Sequence, residues 1–363
     1  MKKNLLILAV MLLSVTLSYS QASFTTGAIG VDVNEYGKIE LFNSAGIYQL
    51  WRTSILVGKS SSAVFDYQND AEQNEPTVLV SNPLNSDFEI YGAYDNTYSG
   101  DPPAVTVKLN AYAWTNGGYI IFKFNITNNE AVDMTALAGL DIIPYIDEID
   151  GYDSVTYNSA EEVIRIHRGT QTNIGMKLLS SSLSSLVSFE YYDDYYVDSD
   201  YWTWMNNGSV QPFYPSNSDM GSVSITSQAP VTLAPGASFN VFYAMALGAD
   251  ESAMLANIAA AKTKYDLLTV SVKENQLAGS ELRNYPNPVK SSTTFSYQLP
   301  GNGLVTLKVY DALGNEKAVL VNEKQTVGTH NFNFDAKDLS SGVYSCKLIF
   351  NDQVITSKMM VVK

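Results

Sequence analysis

The stretch "AVTVKLNAYAWTNGGYIIFKFNITN", Ala104 to Asn128, decides the fold. Val105, Val107, Leu109 and Ala111 alternate with Thr106, Lys108 and Asn110; after the break, Ile120, Phe122, Phe124 and Ile126 alternate with Lys123, Asn125 and Thr127. Successive side chains of a strand point to opposite faces, so a period of two marks two half-buried strands. The four residues between them, Thr115 to Gly118, read "TNGG", and Asn-Gly tolerates the left-handed backbone that a tight hairpin needs. The same alternation recurs in "EVIRIHRG" (Glu162 to Gly169), "GSVSITS" (Gly221 to Ser227) and "SFNVFYAMALG" (Ser238 to Gly248), with Gly, Pro, Asn and Asp between the runs. Many short alternating strands predict an all-β sandwich. One helix is expected, in "DESAMLANIAAAKTKY", with Asp250 as N-cap and Leu255, Ile258, Ala259 and Tyr265 as its buried face, closing the body.

A second, smaller β-unit follows. Phe295, Tyr297 and Leu299 alternate, as do Val305, Leu307 and Val309, then Phe332 and Phe334, then Tyr344, Cys346, Leu348 and Phe350. "DALGNE" (Asp311 to Glu316) supplies a turn. Six or seven strands in about 80 residues predict a small immunoglobulin-like sandwich. The organisation is therefore residues 1–20, a signal peptide; 21–266, a large β-sandwich body; 267–283, a linker with one short strand; and 284–363, the small sandwich. The first segment has Lys2 and Lys3, an apolar run from Leu5 to Leu17, and Ser18-Tyr19-Ser20 before a cut at Gln21. That run is too short to span a bilayer comfortably, and no transmembrane span is expected. The residue after the cut is Gln21 and not a cysteine, which argues against a lipid anchor.

Charge narrows the partners. The total is −15; the segment from Glu281 to Lys363 has nine basic and seven acidic residues, and the signal segment has two lysines, which leaves −19 on residues 21–278. Such a body repels nucleic acid and anionic surfaces and attracts cations. One cysteine, Cys346, excludes an intrachain disulfide and a thiolate zinc cluster. Alternating with apolar residues, it reads as a small buried hydrophobe. His167, in "RIHR", reads as a strand-surface histidine, since no nucleophile motif lies near it.

Two stretches carry candidate chemistry. "LDIIPYIDEIDGYDSV" places Asp147, Glu148, Asp150 and Asp153 in a flexible loop, the kind of oxygen-rich segment that suits Ca2+, although Ile146 and Tyr157 fall where an EF-hand needs ligands. The alternative is a solvated acidic loop. "EYYDDYYVDSDYWTWMNN" (Glu190 to Asn207) interleaves Tyr191, Tyr192, Tyr196, Trp202 and Trp204 with aspartates. Aromatic walls with a few polar groups suit a glycan, exposed Tyr and Trp suit a protein partner, and core packing with solubilising acids is a third reading.

The C-terminal residues carry a resemblance. "YPNPVKSSTTFSY" (Tyr285 to Tyr297), "GLVTLKVYDALGNE" (Gly303 to Glu316), "VGTHNFNFDAKDLSSGVYSCKL" (Val327 to Leu348) and "KMMVVK" (Lys358 to Lys363) resemble, in order, the type A C-terminal sorting domain of the type IX secretion system of Bacteroidota and relatives. The resemblance implies export, reading of the domain by the secretion translocon, and attachment to or release from the cell surface. It also implies cleavage in the linker near Gly279 and Ser280. The motif positions it implies are Tyr285, Pro286, Asn287, Pro288, Gly342, Tyr344, Lys358 and Lys363. The body, in Phe122 to Asp147, Gly151 to Val155, Asn173 to Ser180 and Val231 to Tyr265, resembles a β-sandwich module of surface proteins on the same route. Where that module has a "DWD"-like stretch, this chain has Asp141-Ile142-Ile143, which leaves a metal role there without its motif. The expected function is a non-enzymatic surface or released protein that binds a glycan or another surface protein. The alternatives are a glycosidase-like secreted hydrolase using body carboxylates, or a structural coat protein.

Overall fold

The hairpin forms as the alternation requires. Strand Val105–Ala113 pairs antiparallel with Tyr119–Asn128, with Val105 opposite Asn128 and Tyr112 opposite Ile121. In the turn Asn116 adopts a left-handed φ of 61°, and its amide donates to the Thr26 carbonyl at 2.8 Å. The computed structural model describes residues 21–271, 282–299, 301–311, 316–350 and 353–363. The expected signal peptide, the expected cleavage region near Gly279 and the centre of the Asp311 to Glu316 turn lie outside the described residues. The chain divides into two compact units, Met1–Tyr265 and Asp266–Lys363.

In the first unit two nine-stranded sheets pack face to face. One runs in the order Ala22–Thr25, Ile29–Val33, Ile39–Asn43, Tyr48–Ser60, Met134–Pro144, Ser222–Gln228, Leu183–Glu190, with two short strands pairing onto its middle. The other centres on Ser238–Gly248, which lies between Asn173–Leu178 and Tyr119–Asn128. Val31, Leu41, Ile55 and Leu140 from the first sheet meet Val107, Phe122, Ile164 and Val241 from the second, all buried in one core. This is the all-β sandwich that the alternation predicts.

The first sheet is covered on its other face too, which is why Met134–Pro144 reads as a nearly continuous apolar run rather than an alternating one. Leu56, Val64, Leu137 and Ile143 on that face form a second cluster with Tyr195, Tyr201 and Met205. The covering piece is a helix, Asp198–Met205. One helix was expected, and this second one lies in the aromatic segment Glu190 to Asn207, where none was expected. Gly58 makes room for it: a Cβ there would sit 3.3 Å from both the Met205 sulfur and the Trp202 ring.

The long helix runs Glu251–Ser271 and begins as expected, with the Asp250 carboxylate accepting from the Ala253 amide at 2.8 Å. Its buried face differs from the expected one. Met254, Ile258 and Ala261 are buried, Leu255 is half-buried and Ala259 is exposed. The reason lies on the sheet, where Gly175 and Gly248 leave a hollow: a Cβ on Gly175 would fall 2.1 Å from the Met254 sulfur, and one on Gly248 would fall 2.3 Å from the Met254 amide nitrogen. Tyr265 is half-buried edge-on to Phe242, with centroids 5.1 Å apart. The helix also continues through Leu267–Ser271, into the expected linker, where no Gly or Pro interrupts it.

The second unit has seven strands among its described residues, in a three-stranded and a four-stranded sheet. Phe295, Tyr297, Val305, Leu307, Val309, Tyr344, Cys346 and Leu348 fill its core. Burial pushes the Cys346 thiol up to about 12, consistent with an inert packed sulfur.

Removing the Met254 side chain tests the helix face. Met254→Ala is expected to lower the unfolding free energy by about 2–5 kcal/mol, and Leu255→Ala by clearly less, in urea titrations of the two variants.

Candidate functional site

The aromatic segment is fastened to the sheet by a buried charge pair. Arg52, on Tyr48–Ser60, and Asp141, on Met134–Pro144, face the covering helix with side chains 6% and 1% exposed, and Arg52 Nη2 lies 2.5 Å from Asp141 Oδ2. The Tyr195 hydroxyl donates to Asp141 at 2.9 Å, and the Tyr201 hydroxyl does the same at 2.9 Å. Arg52 also donates, in short contacts, to the Tyr195 hydroxyl and to Gln68 Oε1. Burial, then the Asp141 carboxylate, holds both phenols protonated far above the usual tyrosine range. Burial alone would disfavour the Arg52 charge, but the Asp141 carboxylate together with the oxygens of Tyr195, Tyr201 and Tyr67 outweighs it and raises its pKa.

Beside this anchor lies an open cleft of about 310 Å3. Trp51, Tyr145 and Tyr191 supply aromatic walls, Asp150 and Asp219 bring carboxylates, and Arg52 also lines it. Trp51 is 49% exposed; Lys38 Nζ sits 4.1 Å above its ring, and Tyr145 meets it edge-on at 5.8 Å. Arg52 Nε is buried with no hydrogen-bond partner. The two loops that shape the cleft are tied together: the Tyr152 amide donates to the Ser218 carbonyl at 2.9 Å, the Ser216 amide to the Asp153 carbonyl at 2.8 Å, and the Tyr191 amide to the Gly221 carbonyl at 2.8 Å. Gly151 sits at φ 79°, and a Cβ there would strike the Ser218 carbonyl oxygen at 2.4 Å, so the contact depends on glycine. Burial raises the Asp150 carboxyl above its ordinary value, against the pull of Arg168.

The cleft thus joins one residue from each sequence candidate set, Tyr191 and Asp150, and adds Trp51, Tyr145 and Asp219, which the sequence did not single out. A lone Trp in a strand carries no pattern, and only the sheet register brings it beside the acidic loop. The remaining aromatics go elsewhere. Trp204 stacks on Phe189 at 4.2 Å and Trp202 packs half-buried on the covered sheet face. Tyr192 is exposed and donates to Asp200 at 3.2 Å. Tyr196 lines a separate cleft with Asp70, Asp101, Asp194 and Asp198.

The four acids read as a calcium loop do not converge. Asp147 accepts from Gln49 Nε2 at 2.9 Å, Glu148 accepts from the Tyr48 amide at 3.3 Å, Asp150 faces the cleft, and the buried Asp153 accepts from the Ser222 hydroxyl in a short contact. Among the described residues no group of three or more His, Cys, Asp or Glu side chains is placed to hold a metal ion. The loop has a positive charge of its own: the Arg168 guanidinium donates to the carbonyls of Ile146, Ile149, Asp150 and Gly151 at 2.5, 3.1, 3.3 and 2.7 Å. His167 lies half-buried on its strand, and burial lowers its pKa.

In the second unit the residues picked out by resemblance meet in space. The Asn287 side chain works like a strand segment: its Nδ2 donates to the Lys358 carbonyl and its Oδ1 accepts from the Met360 amide, both at 2.9 Å. Val289 extends the ladder, donating to the Met360 carbonyl at 2.7 Å and accepting from the Val362 amide at 2.8 Å. The segment around Pro286 and Pro288 is thereby bound to the last strand, Gln353–Val361. Tyr285 stays 83% exposed, the Tyr344 hydroxyl donates to the Ser340 carbonyl at 2.9 Å, and Lys363 Nζ donates to the Lys337 carbonyl at 2.5 Å. Gly342 opens the strand that pairs with Gln353–Val361, and Lys358 is exposed on the latter. Residues 283–363 match the family model of the secretion system C-terminal sorting domain. The second unit is a type IX secretion sorting domain. The sorting domain directs the chain to the type IX secretion system, which leaves it attached to or released at the cell surface. Among the described residues no helix is long and apolar enough to cross a membrane.

Comparisons add little for the body. No curated protein sequence matches the chain. Among solved structures, a polysaccharide lyase aligns at TM-score 0.35 and 8% identity over 91% of this chain but 45% of its own, so this chain spans less than half of that protein. A putative aldose 1-epimerase from Escherichia coli K12 aligns at TM-score 0.38 and 10% identity, over 63% of this chain and 98% of its own. Dimeric latent PorU from Porphyromonas gingivalis aligns at TM-score 0.21 and 11% identity, over 92% of this chain and 31% of its own. No activity passes from them to this chain.

Two substitutions probe these arrangements. Arg52→Met alone leaves Asp141 buried without its partner and is expected to cost about 3–5 kcal/mol, whereas Arg52→Met with Asp141→Leu removes the stranded charge but leaves the Tyr195 and Tyr201 hydroxyls without an acceptor, and is expected to recover only part of that loss in chemical denaturation. Asn287→Asp removes the donor to Lys358 and points a carboxylate at its carbonyl; it is expected to destabilise the sorting domain by about 1–3 kcal/mol and to reduce the surface-exposed fraction in a secreting host, measured by protease accessibility on whole cells.

Proposed function

We propose that the chain is an exported glycan-binding protein: a body at residues 21–266, joined by a linker at 267–283 to the sorting domain at 284–363. The observation that carries the reading is the cleft lined by Trp51, Tyr145 and Tyr191. Sugars present apolar C–H faces that lie against aromatic rings and hydroxyls that donate to carboxylates, and this cleft pairs those two kinds of group over a buried guanidinium. Tyr191 and Asp150 are the residues of the sequence candidates that take part. Trp202 and Trp204 pack the covering helix onto the sheet and do not line the cleft.

A specific observation keeps the hydrolase reading in play. Asp150 and Asp219 line the same cleft, and burial raises the Asp150 carboxyl, as a general acid requires. The two readings part on turnover. The full chain is expected to be retained on at least one neutral polysaccharide in a pull-down panel, with no new reducing ends in the same tubes. Trp51→Ala is expected to weaken retention roughly tenfold or more. New reducing ends that vanish in Asp150→Asn would replace binding by hydrolysis; retention unchanged by Trp51→Ala would remove the cleft from the reading.

A further inference from the structure

A second cleft, of about 270 Å3, neighbours the first through the hydrogen-bonded pair Arg52 and Gln68. It is lined by Tyr36, Tyr67, Gln68, Glu72 and Tyr98. Arg52, which lines the first cleft, donates to Gln68, which lines the second, and the Arg52 guanidinium carbon stands 5.5 Å from the Tyr67 ring centre. The arrangement of the first cleft is thus repeated: tyrosine rings for walls, a carboxylate, and the shared Arg52–Gln68 bridge at the boundary. Tyr98, 69% exposed, stands at the outer side.

Each cleft by itself is at the small end of ligand sites, which run from about 300 to 1,000 Å3, and the two together fall inside that range. A ligand made of repeating rings can occupy both, with one ring against Trp51 and another against Tyr98. The charges select its chemistry. Asp150 and Asp219 line one cleft and Glu72 the other, while the guanidinium between them is already paired with Asp141 and the Lys38 ammonium above Trp51 with Glu40. A uronic acid unit would meet carboxylates in both, and the −15 charge of the chain adds to that repulsion at long range.

We infer that the two clefts are consecutive subsites for one neutral oligosaccharide, too long for either cleft alone. The inference rests on the glycan reading above and adds to it a ligand length and charge. The test is isothermal titration of the full chain with neutral gluco-, manno- and xylo-oligosaccharides of two and six units, and with an oligouronate of six units. For the series that binds, six units are expected to bind at least tenfold tighter than two. Tyr98→Ala, at an exposed position whose truncation leaves the fold intact, is expected to erase that gain and leave the two-unit affinity unchanged. Trp51→Ala is expected to weaken binding at both lengths. Equal affinity for two and six units, or a length gain untouched by Tyr98→Ala, overturns the paired subsites while leaving the single-cleft reading standing. Tighter binding of the oligouronate overturns the neutral class. Binding of none of the probes overturns the glycan reading together with this inference.

Discussion

The body depends on one charge pair placed where charge is expensive. Arg52 and Asp141 lie under the helix Asp198–Met205, on the sheet face away from the main core. An isolated buried charge is costly, and mutual attraction repays that cost only when the remaining hydrogen-bonding capacity is also met. Here Tyr195 and Tyr201 meet it, so the tyrosines cannot leave without stranding the carboxylate. A polar pair in the second core thereby dictates where the aromatic segment sits. The position of the cleft follows, since Arg52 and Tyr191 are both part of its lining.

Much of the fold was legible because its strands have one wet face. Val105–Ala113 and Tyr119–Asn128 alternate cleanly, and their hairpin turn is written in Asn116 and Gly117. The small sandwich was legible for the same reason. Legibility failed where an element packs on two sides or against a hollow. The helix Asp198–Met205 lacks a polar side of helical period, and its conformation is imposed by the sheet beneath it. The buried face of the long helix differs from the expected one because Met254 reaches into a space opened by Gly248 just before the helix and by Gly175, a distant residue that it meets only after folding.

The candidate site was half legible. Tyr191 and Asp150 stood out through their dense surroundings of rings and acids. Trp51 and Tyr145 did not, because each is a single aromatic whose neighbours come from other strands. The acidic loop shows the limit of composition as a guide. Its carbonyls and carboxylates have the chemistry of a cation site, but Arg168, some fifteen residues further along, carries a cation into the space. A one-dimensional count of oxygens cannot see a guanidinium arriving from another strand.

The ladder between Asn287 and the last strand has a consequence for timing. The Tyr285–Pro288 segment precedes Gln353–Val361 by about seventy residues, yet its side-chain amide and the backbone of Val289 find their partners only on that strand. A chain interrupted before Lys358 contains the conspicuous proline motif but not its geometry. The sorting domain is therefore a latch that closes only once Gln353–Val361 is in place, so the shape of its first residues is set by its last strand.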